Sequence, residues 1–371
     1  MGTEQIKRRI VVKVGTSTLT AGGHALNRQR ILELVQQLAY LHQLGHEVVL
    51  VSSGAQMAGR ERLNYPDFGR SVPVKQLLSA VGQSHLMRIY NDLFDIFDIV
   101  VAQVLLVAED LRHRARYLNA RDTLQTLLER RIIPIVNEND TTATEEIRVG
   151  DNDNLSALVA SALEADLLII LTDQPGLFTA DPRYDTEARL IERVTKIDEQ
   201  VMAIAGGVGT SMGTGGMATK IEAAQLAQRS GVTAIIAAGH EPNVLGRIIG
   251  GEALGTCFEP AISHLESRKR WMLADKPQGV AHVDNGAVRV LQRGGASLLP
   301  VGVTSVEGRF GRGALLEVVA PSGQVIARGL SNYDSEDAAQ LCGVKSQQII
   351  DVLGYSYGDA LIHRNNMVLL G

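Results

Sequence analysis

The chain has 371 residues, long enough for two cores, since a single core seldom grows past about 250–300 residues. Hydrophobic residues make up 45% of it, charged residues 21%, and the net charge is -5, which excludes a disordered chain and a dedicated basic nucleic-acid binder. No apolar run approaches the roughly 18 residues of a membrane span, no signal-like stretch precedes the first strand, and Cys257 and Cys342 lie far apart, so a reduced, cytoplasmic setting without disulfides is expected.

In chain order, RIVVKVG (9–15) is a short β-branched run ending at glycine, and residues 28–44 then carry Ile31, Leu34, Val35, Leu38 and Leu41 at helical spacing. A strand leads into a helix. The theme returns in EVVLVSSG (47–54), VVAQVLL (100–106), RIIPIVN (131–137), DLLIILTD (166–173) and TAIIAAG (233–239), with helix-like segments between them. Near-continuous apolar strands alternating with helices predict an α/β fold with a mainly parallel sheet between two helical layers.

Past Thr256 the character changes. Residues 262–273 look helical and carry Arg268, Lys269 and Arg270, and glycine-punctuated strands follow, such as ALLEVVAPSGQVIARGL. The expected division is a catalytic domain over 1–260, a linker helix over 261–274 and a small, mostly β module over 275–371. Residues 261–371 hold 11 Lys or Arg against 10 Asp or Glu, so neither part has the basic excess of a nucleic-acid binder.

Small and polar residues gather at strand ends: Gly15-Thr16-Ser17, Ser52-Ser53-Gly54, Asn137-Glu138-Asn139-Asp140 and Thr172-Asp173. Turn chemistry alone would scatter them over both edges of the sheet, whereas ligands bind parallel sheets beyond the carboxyl ends of the strands. A shared active-site edge is therefore expected. The sequence contains neither GxxxxGK[ST] nor a strand-borne GxGxxG, which removes the main support for P-loop and dinucleotide-binding readings. VKVGTST at the first strand end and GTGGMATK (213–220) before a helix remain. Bare backbone N–H groups at a helix start suit phosphate, although a flexible surface loop explains the second stretch equally well.

Lys13 stands inside an apolar strand, where an unpaired ammonium is costly. It snorkels from an edge strand, pairs with a core carboxylate, or serves a ligand. Lys220 alone would read as an exposed helix lysine; with Lys13 it points to cations around a transferring phosphoryl group. GDNDNLSAL (150–158) offers Asp151 and Asp153 to hold the lysines in place, and Asn152 and Asn154 to grip a small polar substrate. A helix N-cap needs only one such residue. The nine histidines are scattered without ligand spacing, so no metal ligand is assigned.

IVVKVGTSTLT, VLVSSGA, PIVNEND, GDNDNLSA, LLTDQPGLFTADPR and GTGGMATK, in this order, resemble the glutamate 5-kinase branch of the amino acid kinase family over almost the whole chain. The last segment looks like the PUA domain that this branch carries. Uridylate and acetylglutamate kinases usually lack that domain, and aspartokinases carry a different regulatory one. The resemblance implies the three-layer amino acid kinase fold and phosphorylation of the L-glutamate γ-carboxylate by ATP, the committing step of proline synthesis. It also implies a catalytic set of Lys13, Lys220 and Asp153, the last orienting both lysines. Ser53, Gly54, Asn137, Asp140 and Asn152 would hold glutamate. Lys13, Gly15, Thr172, Asp173, Thr214, Gly215, Gly216, Met217, Ala218, Thr219 and Lys220 would frame ATP. Mg2+ is the expected companion of ATP, bound mostly through phosphates, with no residue assigned to it. Proline as feedback inhibitor, homo-oligomers and contact with glutamyl phosphate reductase are further implied partners.

The chemistry agrees. A carboxylate is already a nucleophile, so no general base is needed, but two anionic reactants need cations between them. Rival readings are another family member acting on aspartate, acetylglutamate or UMP, and an RNA-binding or regulatory protein working through the last domain. The even charge of that domain argues against RNA, and Arg268-Lys269-Arg270 reads as a solvated helix face or a hinge.

Overall fold

The computed structural model describes residues 6–65, 67–69, 71–142, 152–206, 216–273 and 275–370, excepting the side chains at 267, 268, 270, 271 and 273. Asp151, Thr214 and Gly215 therefore lie outside the described residues, as do the side chains of Arg268 and Arg270; Lys269 is exposed. The chain forms two compact units, Met1–Leu111 with Ala120–His264, and Arg112–Asn119 with Leu265–Gly371. Residues 112–119, which the sequence reading put in the first domain, thus count with the second unit.

The first unit contains β1 (Arg9–Val14), α1 (Thr16–Thr20), α2 (Arg28–Gln43), β2 (Glu47–Ser52), α3 (Ala55–Arg62), α4 (Val72–Phe94) and β3 (Val101–Leu106). After α5 (Ala108–Arg112) and α6 (Arg114–Glu129) come β4 (Ile133–Glu138), α7 (Asn152–Ala162), β5 (Leu167–Thr172), β6 (Arg193–Val194) and α8 (Glu199–Ile204). It closes with α9 (Met217–Arg229), β7 (Thr233–Ala238), α10 (Val244–Ile249) and β8 (Thr256–Phe258).

The strands form one eight-stranded sheet in the order β3-β4-β2-β1-β5-β7-β8-β6, parallel except where β8 runs against β7. Apart from Arg9 and Glu47 at their starts, β1, β2, β4 and β5 are buried throughout. That burial explains why they read as unbroken apolar runs rather than as an alternation. Ile10, Val12 and Val14 join the core shared with α2, α4 and α10, so Val11 and Lys13 face the other side of the pleat. Sequence-distant strand ends then share an edge: Val14 is in register with Ser52, Leu105 with Asn137, and Thr172 with Ala238.

Two glycines set how closely α4 lies on α3. A Cβ added at Gly82 would stand 1.8 Å from the carbonyl oxygen of Ala55, and one at Gly59 would stand 2.0 Å from that of Leu78. Neither obstacle is a movable side chain, so the helices must separate to admit a methyl group. Gly82→Ala is expected to destabilise by about 3 kcal/mol or more, the upper range for overpacking, read as a lower urea midpoint.

In the second unit, α11 (His264–Leu273) precedes β9 (Gly279–Val283), α12 (Asn285–Gln292), β10 (Val303–Glu307), β11 (Leu315–Val319), β12 (Val325–Leu330), α13 (Ser335–Leu341), α14 (Ile349–Leu353) and β13 (Met367–Leu369). Its five-stranded sheet has the order β10-β9-β11-β12-β13, with only β9 and β11 parallel. Its core includes Val283, Leu316, Val318, Leu341 and Ile349 around a fully buried Tyr333. The Tyr333 hydroxyl donates to the Gly358 carbonyl at 2.8 Å and accepts from the Tyr357 amide at 3.0 Å. Buried hydroxyls need such partners.

Candidate active site

The face of β1 that carries Lys13 is covered by α7, and α9 packs beside α7. This geometry brings three charges together from distant parts of the chain. Asp153, in the first turn of α7, is 1% exposed; its Oδ1 lies 2.5 Å from Lys13 Nζ and its Oδ2 lies 3.4 Å from Lys220 Nζ. The Thr219 hydroxyl, 2.8 Å from Asp153 Oδ2 and 2.9 Å from the Gly216 carbonyl, ties the start of α9 to the same carboxylate. Lys220 Nζ also donates to the Gly216 carbonyl at 3.4 Å.

Burial by itself raises the Asp153 pKa, but the charges of Lys13 and Lys220 and the hydrogen bonds from Lys13 and Thr219 outweigh it and hold the carboxyl below its usual range. Burial pushes Lys220 down; Asp153 only partly opposes that, and Lys13 adds to it. Asp153, itself buried, is the counter-charge that both lysines meet where water cannot help. Lys13 thus pairs with a core carboxylate, one of the readings its place in an apolar strand allowed.

A second network starts one residue earlier. Asn152 Nδ2 donates to Asn137 Oδ1 at 2.9 Å and to Ser53 Oγ at 3.0 Å, joining the ends of β4 and β2. Asn137 Nδ2 donates in turn to Gln83 Oε1 on α4 at 2.8 Å. Asp140, just beyond β4, accepts from Ser79 Oγ at 2.6 Å. Gly54 begins α3 with φ +104, the left-handed region that favours glycine, and a Cβ there would stand 2.9 Å from Leu19 Cδ1.

Cavities open on this edge. One of about 300 Å³ is lined by Ser79, Gln83, Glu138, Asn139, Asp140 and Thr141, among others. Another, of about 560 Å³, is lined by Ser17, Thr18, Arg30, Thr172, Asp173 and His240, among others. Thr172 donates to Asp173 Oδ1 at 2.9 Å, and Asp173 is close enough to Lys220 to act on its charge. Gly15 borders Lys13: a Cβ there would lie 3.6 Å from the ammonium. Gly216, Met217 and Ala218 open α9 above Thr219 and Lys220.

The structure therefore groups Lys13, Gly15, Asp153, Gly216, Thr219 and Lys220, joins Ser53, Asn137 and Asn152, and sets Asp140 against the smaller cavity. Thr172 and Asp173 stand at the larger one. Ser79 and Gln83 were missed by the sequence reading. They sit one turn apart inside α4, in the run LLSAVGQSHLM, where polar residues give no sign of which face meets a cavity.

Asp140 stores a cost. Burial raises its pKa, and the Ser79 hydrogen bond offsets that only in part. For a carboxyl raised on folding, the cost is complete above the folded pKa and absent below the ordinary one. Asp140→Asn keeps an acceptor for Ser79 and should stabilise the ligand-free protein by about 1 kcal/mol at neutral pH, as such exchanges at functional sites do. Thermal midpoints should converge as pH falls through the window from the raised value to the ordinary one; a gap unchanged by acid would contradict this account.

Residues 8–238 match the profile of the amino acid kinase family and residues 279–353 that of the PUA domain. The chain is 55% identical over 361 residues to a glutamate 5-kinase of Herpetosiphon aurantiacus, covering 97% of this chain and 98% of that protein. To the glutamate 5-kinase of Aliivibrio fischeri it is 53% identical over 362 residues, covering 97% and 98%. To that of Deinococcus radiodurans it is 50% identical over 362 residues, covering 98% and 100%. Among solved structures, the carbamate kinase of Giardia lamblia bound to AMP-PNP superposes with a TM-score of 0.51 at 18% identity, over 69% of this chain and 99% of that one. The UMP kinase of Bacillus anthracis gives 0.50 at 18% identity, over 69% and 97%. At that identity the likeness concerns the fold.

Proposed function

The chain belongs to the amino acid kinase family, and on that footing we propose that it passes the γ-phosphoryl group of ATP to the γ-carboxylate of L-glutamate. The products are L-glutamyl 5-phosphate and ADP, and the reaction is the first step of proline biosynthesis. The observation that carries this reading is the junction at Asn152-Asp153: adjacent residues link the Ser53–Asn137 network on one side and the two buried lysines on the other. In this reading, acceptor and donor would both be positioned from one helix start.

A carboxylate oxygen attacks phosphorus, the bond to the β,γ-bridging oxygen breaks, and ADP leaves with the electron pair. No proton is taken from the nucleophile, so catalysis consists of positioning and charge stabilisation. In this assignment Lys13 and Lys220 meet the charge of the phosphoryl group, and Asp153 fixes their positions. Ser53, Gly54, Asn137, Asp140 and Asn152 hold glutamate. Gly15, Thr172, Asp173 and residues 214–220 frame ATP. Magnesium, when bound with ATP, would neutralise phosphate charge. Asp153 is engaged by two ammonium groups, and magnesium would be held mostly by the nucleotide's own oxygens and water.

We assign catalysis to residues 1–260, with 261–274 as linker and 275–371 as the appended module. Inhibition by proline, self-association and contact with glutamyl phosphate reductase belong to the same proposal, on the strength of the resemblance. No RNA partner is assigned, given the even charge of the module. Among the described residues no helix is long and apolar enough to cross a membrane, and a cytoplasmic enzyme is the reading adopted.

The test traps the product. With ATP, magnesium, L-glutamate and hydroxylamine, γ-glutamyl hydroxamate should form, while aspartate, acetylglutamate and UMP release little ADP. ADP release with one of those acceptors and none with glutamate would overturn the assignment.

A further inference from the structure

We propose that Gln83 sets acceptor specificity: its Nε2 donates to the α-carboxylate of the amino acid while Asp140 receives the α-ammonium group. The proposal rests on glutamate being the acceptor. Gln83 Nε2 and Asp140 Oδ1 are both buried, and neither has a hydrogen-bond partner among the described residues. Both residues line the same cavity of about 300 Å³. Buried polar groups are rarely left unmatched, and an unmatched one calls for a ligand or water. An orphan donor and an orphan carboxylate oxygen, on two residues that line one small space, complement a zwitterion, which carries a carboxylate and an ammonium on a single carbon.

The orientation of the Gln83 amide follows from a chain of partners that starts at the backbone. The Glu138 amide can only donate, and it donates to Asn137 Oδ1 at 2.9 Å. The other atom of that carboxamide, Asn137 Nδ2, is therefore a donor, and it lies 2.8 Å from Gln83 Oε1. Gln83 Oε1 must accept, which leaves Nε2 as the free donor. Asp140 is fixed in a parallel way: Ser79 Oγ occupies Oδ2 at 2.6 Å, leaving Oδ1 open. Ser79 and Gln83 are four residues apart on α4, hence on one face, and the methyl-free contacts at Gly59 and Gly82 bring that helix close to α3.

This arrangement reads the head of the amino acid and leaves its side-chain carboxylate for the phosphoryl group. It predicts discrimination against an acceptor whose α-carboxylate is an amide. The probe is L-isoglutamine, which keeps the γ-carboxylate and the α-ammonium group but carries an α-carboxamide.

Gln83→Glu is the informative variant, because a carboxylate at 83 still accepts from Asn137 Nδ2 but replaces the donor with a negative charge. With hydroxamate as readout, kcat/KM for glutamate should fall by about 100-fold or more, while that for isoglutamine falls far less or rises. Gln83→Leu, which removes both roles, should lower glutamate turnover by roughly 10- to 100-fold, the range for a hydrogen bond to a charged group, and lower isoglutamine turnover by less. KM for ATP should stay within about twofold in both. Equal losses on the two acceptors would assign Gln83 a purely structural role through Asn137 and overturn the proposal, as would unchanged kinetics on glutamate. A wild-type protein inactive on glutamate would instead overturn the reaction assignment beneath it.

Discussion

Asp153→Asn should lower turnover by about 100- to 1,000-fold, the scale for losing preorganised charge stabilisation, and lower stability by about 3–5 kcal/mol, the scale for breaking a buried ion pair. The substitution removes a carboxylate that meets both Lys13 and Lys220, at 2.5 and 3.4 Å. Two ammonium groups on side chains 6% and 7% exposed then face each other without it. Burial and Lys13 already press the Lys220 pKa down, so Lys220 is the group expected to shed its proton, with loss of the cation from the site. Hydroxamate formation measures the first effect and the urea midpoint the second. The stability gap should also depend on pH. A carboxyl held below its usual pKa contributes stability that is complete above the ordinary value and lost as pH falls through the folded one, so wild type and variant should approach each other in acid. A variant with wild-type turnover would remove Asp153 from the mechanism.

Lys220→Ala should behave differently, with a turnover loss of about 100- to 1,000-fold and a stability change within about 1 kcal/mol. Asp153 keeps Lys13 and the Thr219 hydroxyl in this variant, so no buried anion is stranded. The protein also ceases to bear the cost of burying a second ammonium. Single-turnover hydroxamate yield, with ADP release in parallel, separates slowed chemistry from weaker ATP binding. If kcat were unchanged, Lys220 would have no part in phosphoryl transfer. The contrast between the variants is itself diagnostic: one loses activity and stability together, the other activity alone.

Some of this was open to inspection in the amino-acid order. The apolar runs that became β1, β2, β4, β5 and β7 appeared because strands buried on both faces must be apolar along their whole length. The polar termini Ser52-Ser53-Gly54, Asn137 to Asp140 and Thr172-Asp173 appeared because parallel strands put their carboxyl ends on one edge. Lys13 was conspicuous for the same reason, as an ammonium in a run of Val and Ile. The eighth strand's antiparallel pairing with β7 left no such mark, since a three-residue segment such as Thr256–Phe258 reads the same in either direction.

The amino-acid sequence by itself determined the α/β class, the polar strand-end edge that forms the candidate site and the chemical types on it, because burial and turn chemistry are written in local composition. Partnership was decided only in three dimensions. Asp153 meets Lys13 across 140 positions and Lys220 across 67, and Gln83 meets Asn137 across 54. Such pairings depend on which face of a strand or helix is turned toward which neighbour, and on how near two backbones can come. At Gly59 and Gly82 that approach is set by the absence of a methyl group, whose consequence appears only when α3 and α4 are in contact.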